Sequence, residues 1–541
     1  MGYNKSTKEL IKSVNGSRQN RINQDFSKLN LSDRRNLLES FHPDHIQDKK
    51  RKLRIGPNTG DQLAHELVNI LESYSFIDPK NIDLDKHDFE VDVLVVGAGG
   101  AGISAAIESF HAGANVMLVT KLRLGDANTV MAQGGIQAAD KENDSPITHY
   151  LDVMGGGHFT NTPALVKALT ESAPETISWL ENLGVIFDKK DDGEMITIHG
   201  GGTSRKRMHS ARDYTGLEIL RVIRDEFLNF KIPYLEFCST VELIKDVKGN
   251  IAGALLYNME TQQIHVCKAK TVILATGGMG RLHVQNFPCS NHYGATADGI
   301  ALASRAGVPF VFMNSIQYHP TGAAYPEQIL GLLVTEKVRG LGAQLVNADG
   351  ERFIYELLPR DIVSSVIIKE VGERKKGVMA DSGIQGVWLD SPLIDMIHGK
   401  GTARNILPAM YTQYEKFGIK IDEEPILVYP TQHYQNGGLK INEEGQTNIA
   451  NLFAAGEVSG GIHGENRLMG NSLLDILVFG RRAGKRAARL SKQIVLDKLT
   501  LRHVVEHNKK MDELDISKEC KSPILLPSYN HFTINSAKYG T

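Results

Sequence analysis

The chain runs to 541 residues, room for about three domains of ordinary size, and its 41% hydrophobic and 23% charged content excludes a disordered or fibrous class. Lys and Arg number 61 against 63 Asp and Glu, a formal charge of −2, so no global positive field exists to hold nucleic acid. No apolar run nears the ~20 residues of a membrane helix, the polar start shows no secretory signal, and the four scattered cysteines lack a C-x-x-C pair; a cytoplasmic protein without transmembrane segment, metal or cluster is expected.

Residues 1–88 read as an extension. They are charge-rich and weakly periodic, with one short helix expected through Leu63, Leu67, Ile70 and Leu71, and a basic run, Lys49-Lys50-Arg51-Lys52, expected on a solvated face. The texture changes at Val91, where Val91-Asp92-Val93-Leu94-Val95-Val96 is the near-continuous apolar run of a strand buried in a parallel sheet. Gly97-Ala98-Gly99-Gly100-Ala101-Gly102 follows at once, then the apolar Ile103, Ala105, Ala106 and Ile107, then a second strand over 115–119. In that strand–turn–helix–strand setting G-x-G-x-x-G is a dinucleotide fingerprint: the glycines let the backbone approach a pyrophosphate, whose charge sits at the helix N-terminus. The second strand ends in Thr120-Lys121, where a nicotinamide-binding unit places an acid for the ribose, so a nicotinamide cofactor is disfavoured. Two more apolar runs, 271–276 and 451–455, are each followed directly by glycine, and the chain beyond Leu490 reads as a helix and an irregular tail.

The stretch from Thr120 and Lys121 through Asn128, Thr129, Ala132, Gln133, Gly134 and Gly135 adds small and polar groups suited to a flat ring system. With it, residues 90 to 485 resemble the flavoprotein subunits of succinate dehydrogenase and fumarate reductase, and their relative L-aspartate oxidase. The resemblance implies an α/β fold: a Rossmann-type FAD-binding domain interrupted by a smaller α+β capping domain, with an N-terminal extension and a short C-terminal helical tail. The corresponding division is 1–88 extension, 89–315 FAD-binding domain, 316–430 cap, 431–490 FAD-binding domain resumed, and 491–541 tail. FAD contacts are implied for the first glycine turn, for the stretch just named, for Ala275-Thr276-Gly277, and for Asp298, Glu457, Ser472 and Leu473. For Glu457 there is also an independent argument, since an acid at a strand's C-terminal end can accept from ribose hydroxyls. Many members of the family link the flavin covalently to a His; here Asn128 stands at that position, and an amide cannot form the bond, so bound but releasable FAD is expected.

Four scattered motifs gather cationic and hydrogen-bonding groups: His319-Pro320-Thr321-Gly322, Thr335-Glu336-Lys337-Val338-Arg339-Gly340, Pro359-Arg360-Asp361 and Gln432-His433-Tyr434. A fifth runs from Glu465 to Asp475. A dicarboxylate needs a donor set at each end, best with an Arg in bidentate geometry, and His319, Thr335, His433 and Arg467 match that need. By resemblance Arg360 is the proton donor opposite the flavin, with Glu336 and Arg339 returning the proton from solvent; a guanidinium, with its pKa above about 12, needs such a relay. L-Aspartate oxidases commonly carry a Glu before the Gly-Gly pair that corresponds to Gly201-Gly202, able to meet the substrate ammonium; here that position is Gly200. Fumarate and succinate are therefore preferred as substrates, with L-aspartate oxidation to iminoaspartate as the alternative. Asn128 favours fumarate reduction, because covalent attachment raises the flavin potential in this family. Since the cysteines cannot hold a cluster, electrons must come through an iron–sulfur partner subunit, which would also be the route to the cytoplasmic face of a membrane.

Overall fold

The computed structural model describes residues 2–26, 29–380 and 383–527. Its largest sheet has eight strands and two textures. Strands Cys238–Asp246, Ile251–Asn258 and Ile264–Leu274 form an antiparallel meander, with Leu499–Thr500 added at its edge. Beyond Ile264–Leu274 the sheet becomes parallel through Phe89–Val96, Val116–Val119 and Tyr234–Leu235. Leu452–Ala454 pairs in parallel with the end of Ile264–Leu274. The residues Val93 to Val96 are buried on both faces, which is why the run lacks alternation. Helices Gly100–His111 and Asn471–Ser491 pack together against this sheet.

Register explains why the glycine turns matter. Leu274 pairs with Val96 on one side and Ala454 on the other, so the turns at Gly97, Gly277 and Gly456 leave the sheet side by side at its C-terminal edge. That edge is where parallel α/β sheets bind ligands.

A second, antiparallel sheet orders Ile316–Ala323, Ile426–Gln435, Gln385–Asp390 and Gln344–Val346, with Val378–Met379 against Gln385–Asp390. Helix Arg360–Gly372 packs on it. Strand Ile426–Gln435 runs through residue 430, so a single strand carries the chain out of the cap sheet and brings His433 to the junction with the body.

The extension is more structured than the sequence suggests. Its described residues form three α-helices, Lys5–Arg21, Leu31–Phe41 and His65–Leu71, and Leu63 belongs to a short strand, Gln62–Ala64, rather than to a helix. Helix Lys5–Arg21 buries only Thr7, Ile11, Val14 and Arg21, too sparse an apolar stripe to announce itself. Polar anchors tie it to the cap instead. Arg18 Nη2 and Arg21 Nη2 each donate to Asp390 at 2.7 Å, Arg21 Nη1 donates to Gln344 at 2.7 Å, and Asp390 is fully buried. Tyr3 lies buried against Tyr325 and Trp388, its hydroxyl donating to Pro425 O at 2.9 Å. The basic run is likewise only half solvated: Lys49 and Lys52 are exposed, whereas Lys50 donates to Asp44 O and Arg51 to Glu72 Oε2 at 2.7 Å. Farther along, Asn58 exchanges two hydrogen bonds with the Phe310 backbone, so the extension touches both cap and body.

At the other end, helix Arg502–Glu513 follows Leu490, and Lys521–Ser522 pairs in parallel with Tyr74–Ser75. The remainder of the expected irregular tail lies outside the described residues. No helix among the described residues is long and apolar enough to cross a membrane.

Removing one partner of a buried ion pair strands the other, at about 3–5 kcal/mol. Asp390→Ala, which strands Arg21 and partly buried Arg18, is therefore expected to lower the unfolding free energy by that order and to shift the urea midpoint down accordingly, and equilibrium unfolding followed by circular dichroism checks it.

Candidate active site

One cavity of about 370 Å³, within the range of ligand clefts, opens at the edge where the three glycine turns meet and ends among the arginines and histidines of the cap junction. Gly97, Ala98, Gly99, Gly100, Ala101, Thr120, Lys121, Asn128, Thr129, Ala132, Gln133, Gly134, Gly135, Ala275, Thr276, Gly277, Asp298, Glu457, Ser472 and Leu473 all line it. Gly102 does not; it is where helix meets strand, and a Cβ there would lie 1.8 Å from Gly97 O. Gly97 itself has φ +109°, a left-handed value that favours glycine.

The cavity's polar lining fits a dinucleotide such as FAD. Helix Gly100–His111 presents its N-terminus there, with only the Gly100 N–H engaged by a side chain, Thr129 Oγ1 at 3.1 Å. Buried lining atoms Gln133 Oε1, Thr240 Oγ1 and Thr276 Oγ1 have no protein partner, as expected of groups that meet a ligand. Asp298 is held by Lys121 Nζ at 2.7 Å and Thr296 Oγ1 at 2.6 Å. Asn128 is clamped at both ends: Nδ2 donates to Glu457 Oε2 at 3.0 Å and Oδ1 accepts the His292 N–H at 2.5 Å. The other Glu457 oxygen accepts the Gln435 N–H at 3.0 Å, and burial pushes this carboxyl's pKa up.

At the far end lie His319, Thr335, Glu336, Arg360, His433 and Arg467. Strands Ile316–Ala323 and Ile426–Gln435 bring the two histidine rings to 5.2 Å. His319 is fully buried and His433 half-buried; desolvation, reinforced by Arg360, holds each well below the usual histidine pKa, so both are neutral at pH 7. His319 Nδ1 accepts the Thr321 N–H at 3.2 Å, which assigns the ring proton to Nε2, a donor without a protein partner. His433 Nδ1 lies 2.7 Å from Ser290 Oγ. Thr335 caps helix Glu336–Gly340, its oxygen accepting from Lys337 N–H at 3.4 Å and its own proton left to donate.

The charged groups form one connected line. Arg339 Nη2 is 3.2 Å from Glu336 Oε2, and Arg360 Nε donates to the same oxygen at 2.7 Å. Arg360 Nη1 and Arg467 Nη2 both donate to Gln317 Oε1 at 2.9 Å. Glu336 Oε1 accepts the Gly201 N–H at 2.7 Å. Burial would raise the Glu336 pKa, but Arg360 and Arg339 overcome it and bring it down to about 2. Arg467 lies 4.4 Å over the Tyr434 ring and donates to Ser472 Oγ at 3.1 Å; burial, then repulsion from Arg360, lowers it to about 9. Its Nε is buried without a partner. Three guanidiniums thus contact one carboxylate, Glu336, in this set, with buried Glu457 acting on Arg467 through space, so positive charge stays in excess.

Gln317 escaped sequence reasoning, as did Ser290. Gln317 stands two residues before His319, hence on the same face of its strand, which is the one local signal that would have found it.

A family model described as FAD binding domain matches residues 92–473. The chain is 40% identical over 414 residues to a fumarate reductase (CoM/CoB) subunit of Methanothermobacter marburgensis, covering 74% of this chain and 73% of that one. It belongs to this family of FAD-dependent oxidoreductases, which holds the fumarate reductase and succinate dehydrogenase flavoprotein subunits. L-Aspartate oxidase of Streptomyces coelicolor is 35% identical over 72% of this chain and 67% of its own. Among solved structures, the Sdh1 complex of Mycobacterium smegmatis in the apo form matches with a TM-score of 0.66 and 38% identity, over 79% of this chain and 72% of that one.

In this flavoprotein, Gly102→Ala is expected to cut FAD content about tenfold or more, since its methyl cannot coexist with Gly97 O. Flavin absorbance per mole of purified protein measures it.

Proposed function

We propose that the protein interconverts fumarate and succinate, favouring fumarate reduction, as the flavoprotein subunit of a fumarate reductase or succinate dehydrogenase. The observation that carries this reading is the excess of positive charge held among neutral donors, three guanidiniums on one bonded carboxylate, which a dicarboxylate dianion meets. His319, Thr335, His433 and Arg467 hold the two carboxylates, and their fixed positions polarise the double bond between them. FAD, when bound by the glycine turns and the 120–135 stretch, supplies the hydride exchange. Arg360 delivers a proton to the alkene carbon. A guanidinium is a poor acid without a base at hand, and Glu336, 2.7 Å away, with Arg339 behind it, returns the proton.

FAD is held without a covalent bond, as Asn128 offers an amide already engaged by Glu457 and His292. Electrons arrive through an iron–sulfur partner, and any docking at a membrane goes through partner subunits. The cap over 316–430 is inserted between the two parts of the FAD-binding body, 89–315 and 431–490, with 1–88 and 491–541 as additions. At Gly200 there is no carboxylate for a substrate ammonium, and neighbouring Glu336 is taken up by arginines, which disfavours an amino-acid substrate.

The deciding experiment reduces the holoprotein anaerobically and adds fumarate. Rapid flavin reoxidation is expected, and L-aspartate should not reduce the oxidised flavin; reduction by L-aspartate but not by succinate would establish the oxidase instead. Arg360→Gln should lower turnover about a thousandfold or more with FAD still bound. Acid denaturation should release the flavin into solution, and flavin retained on the precipitated chain would contradict non-covalent binding.

A further inference from the structure

Arg360 opens the cap helix Arg360–Gly372. The next residue, Asp361, holds a buried carboxylate that accepts the Ile362 N–H at 2.9 Å and lies 2.7 Å from His158 Nε2. His158 belongs to the body. It follows helix Pro146–Gly156 in a turn where His158 and Phe159 both take left-handed φ values, +58° and +60°, a conformation that non-glycine residues keep only where their surroundings impose it. The surroundings are the loop that leads to Arg467. Thr162 N–H donates to Gly461 O at 2.7 Å, Asn161 Nδ2 to Ile462 O at 2.9 Å, Glu465 N–H to Thr160 Oγ1 at 3.0 Å and Asn466 Nδ2 to Gly156 O at 3.0 Å. One turn therefore holds the Arg467 loop by these bonds and the Arg360 helix by the His158 pair. None of these contacts takes part in the chemistry derived above.

We propose that His158 is a positioning residue whose charged pair with Asp361 draws the start of the Arg360 helix onto the Arg467 loop, so that the two guanidiniums close on a dicarboxylate while His158 is protonated and slacken when it is not. The proposal rests on the dicarboxylate reading. The His158 side chain is 37% exposed, so its ring is open to solvent. Its hydrogen bond to Asp361 raises the ring's pKa above the usual value against the effect of burial; Glu465 adds to the rise and Arg34, from the extension, opposes it. Burial pushes Asp361 up, but His158 and His42 hold it below the usual range, so it stays ionised near neutrality. His42 is itself brought down to about 4 by burial and is neutral there, while Asp44, pushed up to about 8 by burial with Glu465 and Asp361 adding to the rise, gains its charge over the alkaline part of the range. A group with a raised folded pKa contributes fully below its unfolded pKa and loses its contribution as pH rises through the folded value. The pair thus weakens on the alkaline side.

The test follows fumarate reduction by the FAD-loaded full chain with reduced dye, from about pH 5.5 to about pH 9. The wild-type KM for fumarate should rise about tenfold toward the alkaline end, with kcat changing less. His158→Gln should keep the high KM at every pH, and His158→Arg, charged throughout, should keep the low one. Amide exchange at the start of the Arg360 helix should quicken in the Gln variant and not in the Arg variant. A Gln variant that retains the wild-type profile, or an Arg variant that behaves like Gln, would overturn the proposal. A wild type that turns over no fumarate at any pH overturns the dicarboxylate reading instead, and the exchange measurement still decides whether His158 ties the helix to the loop.

Discussion

Guanidinium groups resist being gathered in a dry place. At a separation near 5 Å two of them repel by about 3 kcal/mol even at an effective dielectric of 20, and the substrate end of this protein holds Arg339, Arg360 and Arg467 in one buried set joined by hydrogen bonds and an ion pair. The answer is distributed over the fold. Helix Glu336–Gly340 supplies the one carboxylate, strand Ile316–Ala323 supplies a carboxamide oxygen that accepts from two arginines at once, and the Tyr434 face supports the third guanidinium. Most of these groups come from the cap and its strands, whereas Arg467 comes from the body. The residual positive charge therefore exists as a site only where the two parts meet.

The cofactor end obeys a different constraint, that of the backbone. Parallel pairing with a common register brings Val96, Leu274 and Ala454 level, and each strand then needs a residue without side-chain bulk to turn away from a ligand. Small residues are the chemistry here, in contrast to the crowded charges at the opposite end.

That contrast governs what can be read from the sequence. Apolar runs ending in glycine are local signals, so the strands at 91–96, 271–276 and 451–455 and their turns are legible, and they converge as the fold requires. The candidate arginines and histidines are legible as motifs; that His319, Arg360, His433 and Arg467 line one cavity, with Arg339 behind Glu336, is a property of the packing. Gln317 is not legible, because a single Gln in a strand acquires meaning only from two guanidiniums contributed by distant segments. The extension hides its structure for a similar reason. Helix Lys5–Arg21 is polar over most of its surface, and what fastens it are ion pairs to a residue far along the chain, a kind of attachment that periodicity does not encode. Lys50 and Arg51 look like any solvated basic run until Asp44 and Glu72 are seen beside them.

The attachment of that first helix also bears on how the chain is built in the cell. Residues 5–21 leave the ribosome long before Gln344, Asp390 and Pro425, the groups that receive Arg21, Arg18 and Tyr3. A polar helix of 17 residues is marginal by itself in water, and two arginines without their carboxylate offer no reason for it to persist. That segment must then wait for the cap sheet to be complete, and it docks after the residues that receive it. Synthesis order and assembly order are reversed at this point, since residues 5–21 are made before residues 344–425 and take their final place after them.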